Sequence, residues 1–192
     1  LAPAGTYSAT LYRRMDGEAS PLDEPIVFEV ESLYKSTLVG KSKEEKDAFE
    51  KEYIATVDQR GDLMRTYREQ KRKVETLRVA AQRLPASFGE VDADLLQMQD
   101  AILAMDKMLY GNKAKAAIGE KDMPSLNDRV WAAAGALYGS TYGPTGNAKA
   151  SLAIAKSMLT DIEQQVAILD TQIILAYQKL IQLGAPEIRG ME

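Results

Sequence analysis

The chain contains neither cysteine nor histidine in its 192 residues. Without thiols, disulfides and thiolate metal sites are excluded. Without imidazole, the usual general base, the commonest transition-metal ligand and any imidazole triad are excluded as well. No apolar run reaches the ~18 residues of a transmembrane helix. The first residues carry neither the basic nor the apolar region of a signal peptide. A surplus of positive charge is also missing: the net charge is −4 and the pI about 5.1. Nucleic acid binding through phosphate neutralisation needs the opposite sign. Apolar residues make up 45% and charged residues 27%, which suits one globular domain with a small appendage.

The β signal is confined to the start. Thr6 to Arg13 alternates, with Tyr7, Ala9 and Leu11 on one face and Thr6, Ser8, Thr10 and Tyr12 on the other. That period predicts a strand, introduced by a turn at Pro3 and Gly5. Asp16-Gly17 predicts a tight hairpin turn, because both residue types tolerate positive φ. Pro21 and Pro25 interrupt the return path. Ile26 to Val30 then reads as a second strand, with Ile26, Phe28 and Val30 on one face. A lone hairpin is marginal in water. The residues therefore predict the last strands of a β-sandwich over 1–34. The simpler alternative is a hairpin packed on the helices.

From there the pattern is helical over 42–184. Ser42 to Glu45 reads as a capping box. Phe49, Tyr53, Val57, Met64, Tyr67, Val74, Leu77, Ala81 and Leu84 form a coiled-coil-like stripe ended by Pro85. Asp92 or Asp94 can start a second helix, with a stripe of Leu95, Met98, Ile102, Met105 and Leu109 and a cap at Gly111. A polar loop, AAIGEKDMP, follows. Ser125 is the expected N-cap of a short helix through Tyr138, with Asp128 in its first turn. The stretch GSTYGPTGN stops that helix. The last helix carries Ala148, Leu152, Ala155, Leu159, Ile162, Val166, Leu169, Ile173, Ala176, Leu180 and Leu183, and ends at Gly184 and Pro186. Ile174, Tyr177 and Ile181 add a second apolar face that needs a cover. The first and last helices would each run ~55–65 Å. Only together do the two between them span that distance. The fold class is thus mainly α: a long up-down-up helical bundle with a split middle helix, plus an N-terminal β-hairpin. A four-helix bundle with two stunted members is the runner-up. Burying such stripes at ~25 cal/mol per Å² suffices for a stable bundle.

Few constellations point to chemistry. RTYREQKRK, residues 65–73, concentrates cations, but on a helix it reads as a solvated face with i,i+4 pairs. Glu90, Asp92 and Asp94 complement a helix dipole and lack a calcium-loop pattern. Asp58 and Asp62 have no accompanying Glu-x-x-His, which excludes a di-iron bundle. An enzyme working through carboxylates alone would need a pair facing one cleft, ~5–10 Å apart, and none is specified. No catalytic residue, cofactor-binding residue or metal ligand is assigned. Trp131 and Tyr138 lie two turns apart on one helical face, and Tyr142 follows in the glycine-rich loop. Such rings can stack a sugar or an aromatic ligand. They can equally plug the bundle end or pack on the hairpin, and the alanines at 132–134 with Gly135 favour packing.

PAGTYSATLYRRMDG at the start, with PSLNDRVWAAAGALYGSTYGPT in the middle, resembles the C-terminal region of large bacterial proteins with sortilin-like, Asp-box (BNR) repeat β-propellers. These are often labelled glycosyl hydrolase-like or sialidase-like. The resemblance covers nearly the whole chain. It implies a propeller and a β-sandwich upstream in the same chain as partners, and export to the periplasm or outside the cell. It places any glycan chemistry on the propeller. The Asp-box repeat, S-x-D-x-G-x-x-W, does not occur here, so no catalytic residue carries over. The expected function is a non-catalytic accessory module that packs on its neighbours or self-associates. The alternative is a carbohydrate- or ligand-binding module using Trp131, Tyr138 and Tyr142.

Overall fold

In the computed structural model, residues 4–31, 39–84 and 89–185 are described. Pro3, Pro85 and Pro186, expected to mark a turn and two helix ends, lie outside them.

The strand expected over Thr6 to Arg13 is broken in two. Gly5–Ala9 (β1) pairs antiparallel with Ile26–Val30 (β4), and Tyr12–Met15 (β2) pairs with Glu18–Pro21 (β3). The four form one ribbon, since the Leu22 amide donates to the Leu11 carbonyl at 2.8 Å between the two ladders. The cause of the break is unequal length. Thr10 alone separates Leu11 from Ala9, whereas Asp23, Glu24 and Pro25 separate Leu22 from Ile26, so the return strand bulges. The tip is the expected turn: Asp16 has φ 51° and Gly17 φ 91°, the signs that a two-residue I′ hairpin requires. Tyr7 faces Phe28 across the base ladder, ring centroids 6.0 Å apart. The alternative of a hairpin packed on the helices is not seen among the described residues. Ile26, Val27, Phe28, Leu11 and Tyr12 all remain exposed. One link to the helices is the Lys43 ammonium, which donates to the Ala4 carbonyl at 2.8 Å.

Five helices follow: Lys43–Ala81 (α1), Gly89–Tyr110 (α2), Lys113–Ala117 (α3), Leu126–Tyr138 (α4) and Gly146–Gln182 (α5). α2 begins before Asp92 and Asp94. α3 and its Asn112 cap occupy the start of the expected polar loop. Glu45, Glu52 and Gln59 on α1 meet Lys149, Lys156 and Glu163 on α5 at 2.5, 2.7 and 2.8 Å, every pair 104 residues apart. A constant separation means that α1 and α5 run parallel. α2 runs against α1, since Tyr67 reaches Asp106 while Met64 meets Tyr110. α4 does the same, with Tyr53 against Tyr138 and Arg60 against Asn127. The middle leg is therefore α2 continued by α4, with α3 an excursion between them. This is the up-down-up bundle with a split middle helix.

Packing corrects several details. Every α5 position in the expected stripe from Ala148 to Leu180 is buried, but Leu183 is an exposed C-cap. On α1 the seam keeps four-three spacing through Phe49, Tyr53, Thr56, Arg60, Leu63, Tyr67, Gln70, Val74 and Leu77, all buried except the half-buried Tyr53 and Arg60. Val57 and Met64 flank it, half-buried. Selecting by apolarity shifts the stripe from polar Thr56 to Val57, and one heptad further on it takes Met64 in place of the buried Leu63. On α2, Ile102 is half-buried. Ile174 and Ile181 are exposed, so the second cover foreseen for that end is not supplied by the described residues. The capping box at Ser42 is half-made. Its hydroxyl accepts from the Glu45 amide at 3.2 Å, while the Glu45 carboxylate goes to Lys149.

Candidate functional site

The end of the bundle formed by α1, α4 and the start of α5 has its own small core of Phe49, Ala133, Ala136, Ala148 and Leu152. Small residues let α4 approach closely there. Ser125 fixes how α4 starts. Its hydroxyl accepts from the Asp128 amide at 3.2 Å, and its own amide donates to the Asp128 carboxylate at 2.8 Å. The box holds the Asp128 carboxyl below its ordinary range, first through the Ser125 hydroxyl and then through the Ser125 amide.

With Val130, Ala133 and Ala134 turned inward, Trp131 must point away from α5. It is 77% exposed and Tyr138 is 70% exposed. Both line a cleft of about 290 Å³ between α4 and α1. Tyr53 forms its other wall, edge-on to Tyr138 with centroids 6.5 Å apart at 78°. Val57, Val130 and Ala134 supply apolar lining, and Arg60 adds a cation. The guanidinium of Arg60 is oriented by donating to the Asn127 amide oxygen at 3.2 Å. Partial burial, then the neighbouring Tyr138, raise the Tyr53 phenol above its ordinary value. The Arg129 Nε is buried without a hydrogen-bond partner among the described residues.

Of the three rings singled out in the sequence, the structure brings together Trp131 and Tyr138. Tyr142 serves elsewhere. Its carbonyl accepts from the Lys41 amide at 2.8 Å, and the Thr141 carbonyl accepts from the Lys46 ammonium at 2.8 Å. A Cβ on Gly40 would stand 2.7 Å from the Tyr142 oxygen. The glycine-rich loop thus seats the segment entering α1 and adds nothing to the cleft. Tyr53 and Arg60 were missed as site residues. A signal existed for Arg60: it occupies a seam position, where a cation cannot be fully buried unpaired.

The remaining candidates are bound into the scaffold or apart from the cleft. Asp62 pairs with Arg65, and Asp94 with Lys179 at 2.6 Å. Among the described residues no group of three acidic side chains is placed to hold a metal ion. The cleft's chemistry is that of ring faces, methyl groups and one guanidinium, which suits binding.

The described residues define a mainly-α bundle carrying an exposed β-ribbon and an aromatic cleft. Compared with protein-family models, with curated proteins and with solved structures, the chain matches none. No helix among the described residues is long and apolar enough to cross a membrane.

Proposed function

We propose that the chain is a non-catalytic interaction module: a rigid helical bundle that holds an apolar β-ribbon for neighbouring polypeptide to cover. The observation that carries this reading is the base ladder. Tyr7 and Phe28 are stacked across it, Ile26 continues the same face, and no helix among the described residues covers Ile26 and Phe28, with Ile26 71% exposed. A two-stranded ribbon with an uncovered apolar face is marginal by itself. Following the resemblance given above, the neighbour is a β-sandwich upstream in an exported propeller protein of glycosyl-hydrolase-like type. Hydrogen exchange tests the reading. In the isolated chain, amides of β1 and β4 exchange orders of magnitude faster than those of α1 and α5. Extending the chain upstream then protects the strands. Strands as protected as helices in the isolated chain would defeat the proposal.

A second reading is favoured by the exposure of Trp131 and Tyr138 on the cleft: the cleft takes a sugar or an aromatic side chain. Trp131 is the single tryptophan, so its fluorescence reports the cleft directly. Saturable quenching or a blue shift on adding oligosaccharide, abolished by Tyr138→Ala, supports it. Unchanged emission across a panel of oligosaccharides and aromatic peptides removes it.

A further inference from the structure

The basic stretch of α1 does more than face solvent. Arg65, Arg68, Lys71 and Arg72 line a groove of about 480 Å³ that Tyr110 closes from the end of α2. Two of the four cations are matched within the chain, Arg65 by Asp62 and Lys71 by Asp106 at 2.8 Å. Arg68 and Arg72 have no carboxylate partner among the described residues. Glu69, also on the groove, pairs with neither. Arg68 commits its Nε to the Met64 carbonyl at 3.1 Å, which leaves its terminal nitrogens available. Arg68 and Arg72 stand one helical turn apart on α1, a sequence spacing at which like charges repel. Tyr110 is half-committed: its hydroxyl has a long contact, 3.7 Å, to the Met64 sulfur.

We propose that this groove binds a phosphate or sulfate group, held by Arg68 and Arg72 with Tyr110 as an added donor. Guanidinium forks present paired N–H donors that match two oxygens of a tetrahedral anion. An anion between Arg68 and Arg72 removes their mutual repulsion. The site is local, because the chain as a whole is acidic, with a net charge of −4. It lies on the α1–α2 flank and does not rest on the interaction-module reading. The group belongs either to a small soluble ligand or to a lipid headgroup, which the test separates.

The full chain is titrated with sodium phosphate, and separately with sodium sulfate, at constant ionic strength with chloride as control. Arginine Nε–Hε resonances are followed by NMR. Saturable shifts at Arg68 and Arg72, absent at Arg13 and Arg14 of the ribbon, support the proposal. The Arg68→Ala, Arg72→Ala double variant weakens binding by about tenfold or more, and Tyr110→Phe by a smaller factor. Both arginines are exposed, so the variants keep the bundle, which circular dichroism checks. In a second arm, the chain is sedimented with vesicles of phosphatidylglycerol in phosphatidylcholine and of phosphatidylcholine alone. Binding to the anionic vesicles alone that the double variant loses, without saturation by free ions, assigns the groove to a headgroup. Absence of saturable binding in both arms, or binding that the double variant retains, overturns the proposal.

Discussion

The side-chain amide of Gln70 donates to the backbone carbonyl of Val166 at 3.0 Å, from within the seam between α1 and α5. Gln70 is 4% exposed, and its Oε1 has no hydrogen-bond partner among the described residues. One half of the amide is therefore satisfied and the other is not. A buried unmet acceptor costs about 1–3 kcal/mol, more than the ~1 kcal/mol that a typical hydrogen bond returns. Gln70→Leu is expected to stabilise the chain by about 1 kcal/mol in chemical denaturation. A polar seam residue also fixes helix register. The same variant is therefore expected to broaden α1 and α5 resonances in NMR spectra. A loss of stability would show that the Val166 and Asp170 contacts outweigh the unmet oxygen.

Tyr67 joins α1 to α2. It is 1% exposed, and its hydroxyl lies 2.9 Å from the Asp106 carboxylate and 3.0 Å from the Ile102 carbonyl. Burial, then the hydrogen bond to Asp106, push its ionisation far above the ordinary 10.0. A raised value means that the folded state keeps a proton which the unfolded state loses above pH 10.0. The contribution is present below that pH and declines as pH rises beyond it. Tyr67→Phe is expected to cost about 1 kcal/mol at pH 7 and to flatten the alkaline fall in stability. Denaturation midpoints at neutral and alkaline pH check both effects. Parallel alkaline slopes for the two proteins would contradict the assignment.

These two residues mark what the sequence could and could not disclose. α5 was legible because every seam residue from Ala148 to Leu180 is apolar or small, so chemistry and geometry agree. On α1 they diverge at Thr56, where a stripe chosen by apolarity drifts to Val57 and one heptad on to Met64, and at Gln70, which such a stripe skips. The Asp16-Gly17 turn and the Ser125 cap were legible because each depends on a few adjacent residues. The break in the first strand was not, since it arises from unequal lengths on two strands. The cleft was legible in part. Trp131 and Tyr138 share a helical face, but whether that face turns in or out depends on which side the alanines take, and Tyr53 and Arg60 come from a helix far away in sequence. Tyr142, adjacent in sequence to that pair, is claimed by Gly40 and Lys41.

The cap on α4 carries its own pH signature. The Ser125 hydroxyl donates to the Asp128 carboxylate at 2.7 Å and accepts from the Asp128 amide. Ser125→Ala is expected to cost about 1 kcal/mol, within the ~0.5–2 kcal/mol seen when an N-cap side chain is removed. The Asp128 carboxyl is held below its ordinary 3.8. A lowered value means that the stabilisation is present above pH 3.8 and is lost as pH falls through the folded-state value. The stability gap between wild type and Ser125→Ala is therefore expected to narrow below that pH. Urea denaturation at neutral pH and at the acid end checks it. A gap that stays constant would mean that the carboxylate plays no part in the cap.

Gly61 stands in the interior of α1, where glycine is the least favourable residue after proline. A Cβ built there meets no atom within 4 Å, and its backbone is not in the left-handed region. Neither space nor conformation within the described residues therefore requires glycine. Gly61→Ala removes freedom from the unfolded chain and adds no clash, so it is expected to stabilise by about 0.5–1 kcal/mol. For a chain of this length that is a rise in Tm of about 2–4 °C per kcal/mol. Calorimetry of the single variant is decisive. A fall in Tm would mean that α1 bends or is approached at Gly61 in solution.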